Sequence, residues 1–204
     1  MIKKFLCLLM LASVGLPAMS QRFEGGILGG FNGSQVTGDA YDGYHKPGLL
    51  AGVYVQTDLA PAVFAGTELK FSQKGSRSHK DAQHPDPDKY IMRLNYVDLP
   101  LYMGFRTNDY ISVTGGVSFG YLISSVEMNE DGKFPPEDQV AFKNFDMQPF
   151  LGFRFDLTDK IKFDLRLAYS VLPIRGAPGS ELWYWRQNQF NNVLSTAIYY
   201  RLDH

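Results

Sequence analysis

Apolar and polar residues alternate with a period of two in eight stretches of this chain, and the connections between those stretches are by turns short and long. A period of two gives a strand two unlike faces, whereas the i, i+3, i+4 spacing of an amphipathic helix is almost absent. In the plainest case Ile111, Val113, Val117, Phe119, Tyr121 and Ile123 occupy one face and Ser112, Thr114, Gly116, Ser118 and Gly120 the other. Residues 145–157 and 161–171 repeat the pattern, with Asp146, Gln148, Gly152, Arg154, Asp156, Lys162, Asp164, Arg166 and Ala168 on their polar faces. Weaker alternation predicts strands over 23–33, 48–58, 63–73, 90–105 and 192–202. Within 90–105 the apolar parity switches from Met92, Leu94 and Tyr96 to Val97, Leu99, Leu101, Met103 and Phe105. That switch reads either as a bulge or as a strand whose upper part leaves the apolar layer.

Short turns fall at 58–61, 106–109 and 157–160, and long polar loops at 34–47, 74–89, 124–143 and 173–189. Connections longer than about 12–15 residues are uncommon in compact soluble domains. Tight turns on one rim and long loops on the other are the layout of a transmembrane barrel. A strand of about nine to eleven residues, tilted near 45°, spans roughly 21–26 Å, the height of such a barrel's apolar band.

Alternation alone does not say which face meets lipid, but the polar face does. It is crowded with Gly26, Gly30, Gly52, Gly66, Ser112, Gly116, Ser118, Gly120, Gly152 and Ala168, small residues that suit a narrow interior. The charges at inward positions are Glu68, Lys70, Asp98, Arg154, Asp156, Lys162, Asp164 and Arg166. They balance, and because buried charges must be paired they predict an internal salt-bridge network. Tyr90, Tyr102, Tyr110, Tyr121, Tyr169, Tyr199 and Tyr200 fall mostly towards strand ends, where aromatic girdles form.

Residues 1–20 have the layout of a secretory signal peptide: Lys3 and Lys4, an apolar stretch from Phe5 to Leu16, then Pro17 and Ala18-Met19-Ser20. The barrel domain would then be residues 21–204. The apolar stretch is shorter than the roughly 20 residues of a membrane-spanning helix. Cleavage would remove Cys7, the only cysteine, so neither disulfides nor thiolate-bound metals would stabilise the exported domain. With 20 Lys plus Arg against 21 Asp plus Glu there is no basic surplus, which argues against nucleic acid as a partner.

Three segments carry a family resemblance: Phe23-Glu24-Gly25-Gly26-Ile27-Leu28-Gly29-Gly30-Phe31-Asn32, Phe64-Ala65-Gly66-Thr67-Glu68-Leu69-Lys70-Phe71-Ser72-Gln73-Lys74-Gly75, and Asn95-Tyr96-Val97-Asp98-Leu99-Pro100-Leu101. The chain resembles the PorT-like outer-membrane β-barrel proteins of the Bacteroidota, in which the last segment matches a Tyr-x-(Asp/Glu)-(Leu/Ile)-Pro-Leu stretch. The resemblance implies an outer-membrane barrel of a Gram-negative cell. It brings no catalytic residue, and some relatives assist protein secretion. Such barrels often end in an aromatic residue, whereas this sequence ends Tyr199-Tyr200-Arg201-Leu202-Asp203-His204, leaving Tyr200 or Leu202 as the terminal signal.

Other motifs point weakly to chemistry. Gly116-Val117-Ser118-Phe119-Gly120 matches the G-x-S-x-G nucleophile pattern, but that elbow needs a sharp strand-to-helix turn and here lies in the most regular strand. His45, His79, His84 and His204 fall in loops or at the end of the chain, away from any such serine. His79, Asp81, His84, Asp86 and Asp88 supply metal-ligating atoms without a zinc or calcium spacing, so no metal is assigned. Lys74, Arg77 and Lys80 in the same loop would reach lipid phosphates, and Glu127, Glu130, Asp131, Glu137 and Asp138 would make an exposed acidic loop. Trp183, Tyr184, Trp185 and Arg186 form either a partner-docking surface or an interfacial anchor before the last strand, the anchor being favoured.

The sequence thus predicts an all-β, eight-stranded, antiparallel up-and-down transmembrane β-barrel with short periplasmic turns, long extracellular loops and both termini in the periplasm. Eight strands leave no open channel once side chains fill the lumen. The function expected is non-enzymatic, without cofactor or small-molecule substrate: a barrel in outer-membrane lipid whose loops or rim bind an envelope or secretion partner. The competing reading is a soluble lipocalin-like barrel that holds a small apolar ligand inside. An outer-leaflet lipid-modifying enzyme is the third.

Overall fold

The alternating stretches fold into ten strands: β1 (Phe23–Thr37), β2 (Lys46–Ala60), β3 (Val63–Arg77), β4 (Ile91–Arg106), β5 (Ile111–Asn129), β6 (Gly132–Lys133), β7 (Phe145–Asp156), β8 (Ile161–Tyr169), β9 (Arg175–Gly176) and β10 (Asn188–Arg201). The structure is a computed structural model that describes residues 23–39, 41, 43–79, 89–135, 140–176 and 188–202. Each of the eight long strands pairs antiparallel with its neighbours in chain order, and β10 returns to β1 from Gly26↔Arg201 to Thr37↔Phe190. The sheet is therefore a closed eight-stranded barrel with no free edge. The two-residue strands β6 and β9 are extensions at the loop end, paired to β5 and β10. Residues 1–20, read as a signal peptide, lie outside the described residues.

Closure sends one face of every strand outward, and that face is apolar. Phe31, Phe105 and Leu151 are 62 %, 55 % and 59 % exposed, while the charged Glu68 and Arg154 on the other face are 1 % exposed. This overturns the soluble lipocalin-like alternative, which requires the apolar residues to line a cavity. The belt runs level round the barrel because the ladders hold its upper edge in register. Phe31 faces Leu49, Phe71 faces Val97, Val97 faces Tyr121, and Tyr121 faces Phe145.

Most long strands extend beyond their expected ends on the loop side; β5 reaches Asn129 and β10 begins at Asn188. Apolar periodicity stops where the belt stops, but the backbone ladder continues, supported on its outer face by Gln73 Nε2 donating to Asn95 Oδ1 (3.0 Å) and Asn95 Nδ2 to Ser124 Oγ (2.8 Å). A pattern search on hydrophobicity reads this polar upper wall as loop.

The parity switch in β4 has the second of its two explanations. Met92, Leu94, Tyr96, Asp98 and Tyr102 all point inward without a break. What changes is the content of the lumen, from charged to apolar, at the level where Val36, Met92, Leu94, Tyr96 and Ile174 form a plug. The register irregularity lies opposite Asn95 and Tyr96, where β5 skips Ile123.

Candidate functional site

Below the plug the lumen holds its charges in separate clusters. In the middle one Arg166 reaches Glu68 with both terminal nitrogens (Nη1 to Oε2 3.2 Å, Nη2 to Oε1 3.0 Å), and Lys70 approaches the same carboxylate at 3.2 Å. Arg154 Nε donates to Asp164 Oδ2 at 3.1 Å and its Nη1 to Gln56 at 2.9 Å, while the Tyr199 hydroxyl donates to Glu68 at 2.6 Å. The Arg154 guanidinium also lies 4.3 Å from the Tyr199 ring centre, a stacked cation. Room for these groups is made by residues without side chains: a Cβ on Gly66 would meet the Tyr102 hydroxyl at 2.6 Å, and one on Gly120 would meet Asp98 at 2.6 Å.

The cluster above is built on Lys74, whose ammonium lies 3.1 Å from Asp98, 3.6 Å from Asp146 and 2.9 Å from the Gln148 carbonyl oxygen. Asp146 accepts further hydrogen bonds from Ser170 (2.7 Å) and Asn191 (2.9 Å). Formally the middle cluster has three cations and two carboxylates and the upper one cation and two, so each offsets the other. At the turn end Lys162 bridges Glu24 (3.3 Å) and Asp156 (3.7 Å), and Arg201 approaches Glu24 at 3.9 Å.

The structure thus gathers Glu68, Lys70, Arg154, Asp164 and Arg166 in one place, sends Asp98 to the cluster above, and leaves Asp156 and Lys162 at the turn end. Lys74 is a correction. Its place in the sequence predicts a loop residue at lipid phosphates, yet it continues the inward parity of Glu68, Lys70 and Ser72 and is 1 % exposed. Tyr102 and Tyr199 are a second correction, since they point into the lumen as partners of its charges rather than into a girdle. The predicted charge network leaves out Asp146, Gln56, Gln148, Ser170 and Asn191; the parity of their strands is the signal that places them in the lumen.

The loop-end rim is a different environment. Tyr41 stacks on Tyr90 with ring centres 5.0 Å apart, and Phe134 lies 6.3 Å from Tyr90. Together with Lys89, Asn129, Glu130 and Asp131 these rings line a concavity of about 380 Å³. The Tyr90 hydroxyl donates to Glu127 at 2.5 Å, and Arg175 donates to the other carboxylate oxygen at 2.8 Å. Burial, then the hydrogen bond to Glu127, pushes the Tyr90 phenol well above its ordinary range. Glu127 is therefore not part of an exposed acidic loop; it is 6 % exposed on β5 and fixes the rim to the plug.

Ser118 points into the lumen, 5 % exposed, and its hydroxyl has no hydrogen-bond partner. His45 and His79 stack on each other at 3.9 Å in the loop region, away from it. Among the described residues no group of three His, Cys, Asp or Glu side chains is placed to hold a metal. Asp81, His84, Asp86, Asp88, Lys80, Glu137, Asp138 and His204 lie outside the described residues, as do Trp183, Tyr184, Trp185 and Arg186.

A family model described as "Outer membrane protein beta-barrel domain" matches residues 17–175. Among solved structures the chain is similar to Ail, the attachment invasion locus protein of Yersinia pestis, in complex with the heparin analogue sucrose octasulfate. Identity there is 14 %, with 89 % of this chain and 99 % of that one covered and a TM-score of 0.50. Neisserial surface protein A is similar at 9 % identity, covering 88 % and 97 %, with a TM-score of 0.47. These likenesses concern the fold. No curated protein sequence matches the chain.

Proposed function

The chain belongs to the outer membrane protein β-barrel domain family, and from that premise we propose that it is a non-enzymatic surface barrel, closed to solutes, whose loop-end rim binds an envelope or secretion partner. In this reading the loops face outward from the cell and the termini lie in the periplasm. The three motif segments support the PorT-like branch of the Bacteroidota. The observation that carries the proposal is the contrast between lumen and rim. The lumen is occupied by paired charges, with a cavity of only about 20 Å³ between the two main clusters, whereas the rim opens an aromatic and acidic concavity of about 380 Å³. Tyr and Trp rings beside charged groups are the usual makings of a binding hot spot.

The reading makes no use of Ser118, whose buried hydroxyl is hydrogen-bonded to no base. Two measurements test it. Purified protein in a planar bilayer should give no conductance steps, and persistent ohmic channels would contradict a closed barrel. A photo-crosslinking amino acid at Asn129 should give a discrete adduct in intact cells, while the same group at Phe163 on the outer wall gives none. No Asn129 adduct, or one identical to that from Phe163, would sink the rim as the binding face.

A further inference from the structure

Of the seven described arginines, five have a carboxylate partner: Arg106 with Asp58, Arg154 with Asp164, Arg166 with Glu68, Arg175 with Glu127 and Arg201 with Glu24. The two that have none among the described residues, Arg77 and Arg93, stand side by side. Gly75 pairs with Arg93 and Arg77 with Ile91, so the two arginines are diagonal neighbours on the outer faces of β3 and β4, and both are exposed. Lys46, on the adjoining strand β2, is no part of the pair: its side chain is buried and its ammonium donates to the Pro47 carbonyl at 2.7 Å. Two neighbouring exposed cations with no carboxylate partner among the described residues repel one another, and an anion seated between them relieves that repulsion.

Their height identifies the anion. The apolar belt ends at the Phe71↔Val97 rung, the next outward pair is Gln73↔Asn95, and Gly75↔Arg93 follows. Arg93 stands four residues beyond Val97 and Arg77 six beyond Phe71, roughly 9 and 14 Å up strands tilted near 45°, whereas a headgroup layer extends about 5–8 Å beyond the hydrocarbon on each side. Both backbones therefore stand outside that layer, and a long arginine side chain reaching back towards the belt brings its guanidinium to the lipid phosphates. Val126 pairs with Arg93 and Met128 with Ile91, giving the cations an apolar flank. At the same height on the far side the outward rung is Gln35↔Asn192, which is uncharged.

We propose that Arg77 and Arg93 form a binding site for the phosphate of a lipid headgroup in the leaflet around the loop end. Paired guanidinium groups suit this ligand because each offers two parallel donors to phosphate oxygens. The site rests on the orientation given above, with the loop end in the outer leaflet.

The test is native mass spectrometry of the refolded full chain in detergent, titrated with diphosphorylated lipid A, with the same lipid stripped of phosphate, and with inorganic phosphate. Wild type should bind the phosphorylated lipid about tenfold or more tighter than the stripped one, and R77Q/R93Q should lose that preference. Lys133→Gln, in the short strand β6, should keep it. Equal binding of the two lipids by wild type, or an unchanged preference in R77Q/R93Q, would overturn the site. Inorganic phosphate binding as tightly as the lipid would overturn the lipid assignment in favour of a free anion. Retained mobility shift on heating would show that R77Q/R93Q folds. Failure of the orientation is read separately, by labelling Gly132→Cys on intact cells with an impermeant maleimide, since binding in detergent does not depend on it.

Discussion

Arg166 on β8 and Glu68 on β3 meet across the lumen as a two-point ion pair, although 98 residues separate them in the chain. Strands β3 and β8 are not neighbours in the barrel wall, so the pair ties opposite sides of the cylinder together where the backbone ladder cannot. Taking both charges out of water is costly, and removing one partner leaves the other buried and unpaired.

Replacing Glu68 with Ala should therefore destabilise the barrel by about 3–5 kcal/mol, because Arg166, Lys70 and Arg154 all lose a counter-charge. Urea unfolding in lipid vesicles, followed by gel mobility, measures this. A midpoint indistinguishable from wild type would show that the cluster adds nothing.

Lys74 holds two carboxylates, so Lys74→Met should destabilise more than Lys74→Met combined with Asp98→Asn, which removes one of the stranded charges. The same unfolding assay gives the cycle. Strictly additive losses would mean that the two side chains act independently.

Phe153 is 46 % exposed on the outer wall. Phe153→Arg should cost about 2–4 kcal/mol if the residue sits near the bilayer midplane, and less towards either rim. Normal insertion and stability of this variant would refute the assignment of the apolar face to lipid.

The raised pKa of Tyr90 gives a pH dependence of definite sign. Its folded value lies above the unfolded phenol value near 10, so its contribution to stability is complete below about pH 10 and declines as the pH rises beyond that. In a tyrosinate titration at 295 nm, wild type and Tyr90→Phe should coincide up to about pH 10.5. A wild-type excess of one tyrosinate below that point would show that Tyr90 ionises normally.

The local alternation in residues 111–123 and 145–171 was enough to place the strands, their antiparallel order and the direction of their faces, since side-chain direction follows from backbone geometry with a period of two. Gly66 and Gly120 were legible as inward positions for the same reason. Small residues there were the clue that the polar face was the inside.

Closure decided what local pattern could not: which inward charges meet. Asp98 and Glu68 both face inward on adjoining strands, yet tilt carries Asp98 to Lys74 and Asp146 and leaves Glu68 with Arg166 and Lys70. Lys74 and Arg77, three residues apart in one strand, were alike in sequence and opposite in fate. One is sealed in the lumen and the other faces outward, because the ladder of β3 runs on past the apolar belt and its parity continues with it. Partner choice in the lumen depends on strand stagger and cross-barrel distance, quantities that arise only when β10 has closed on β1.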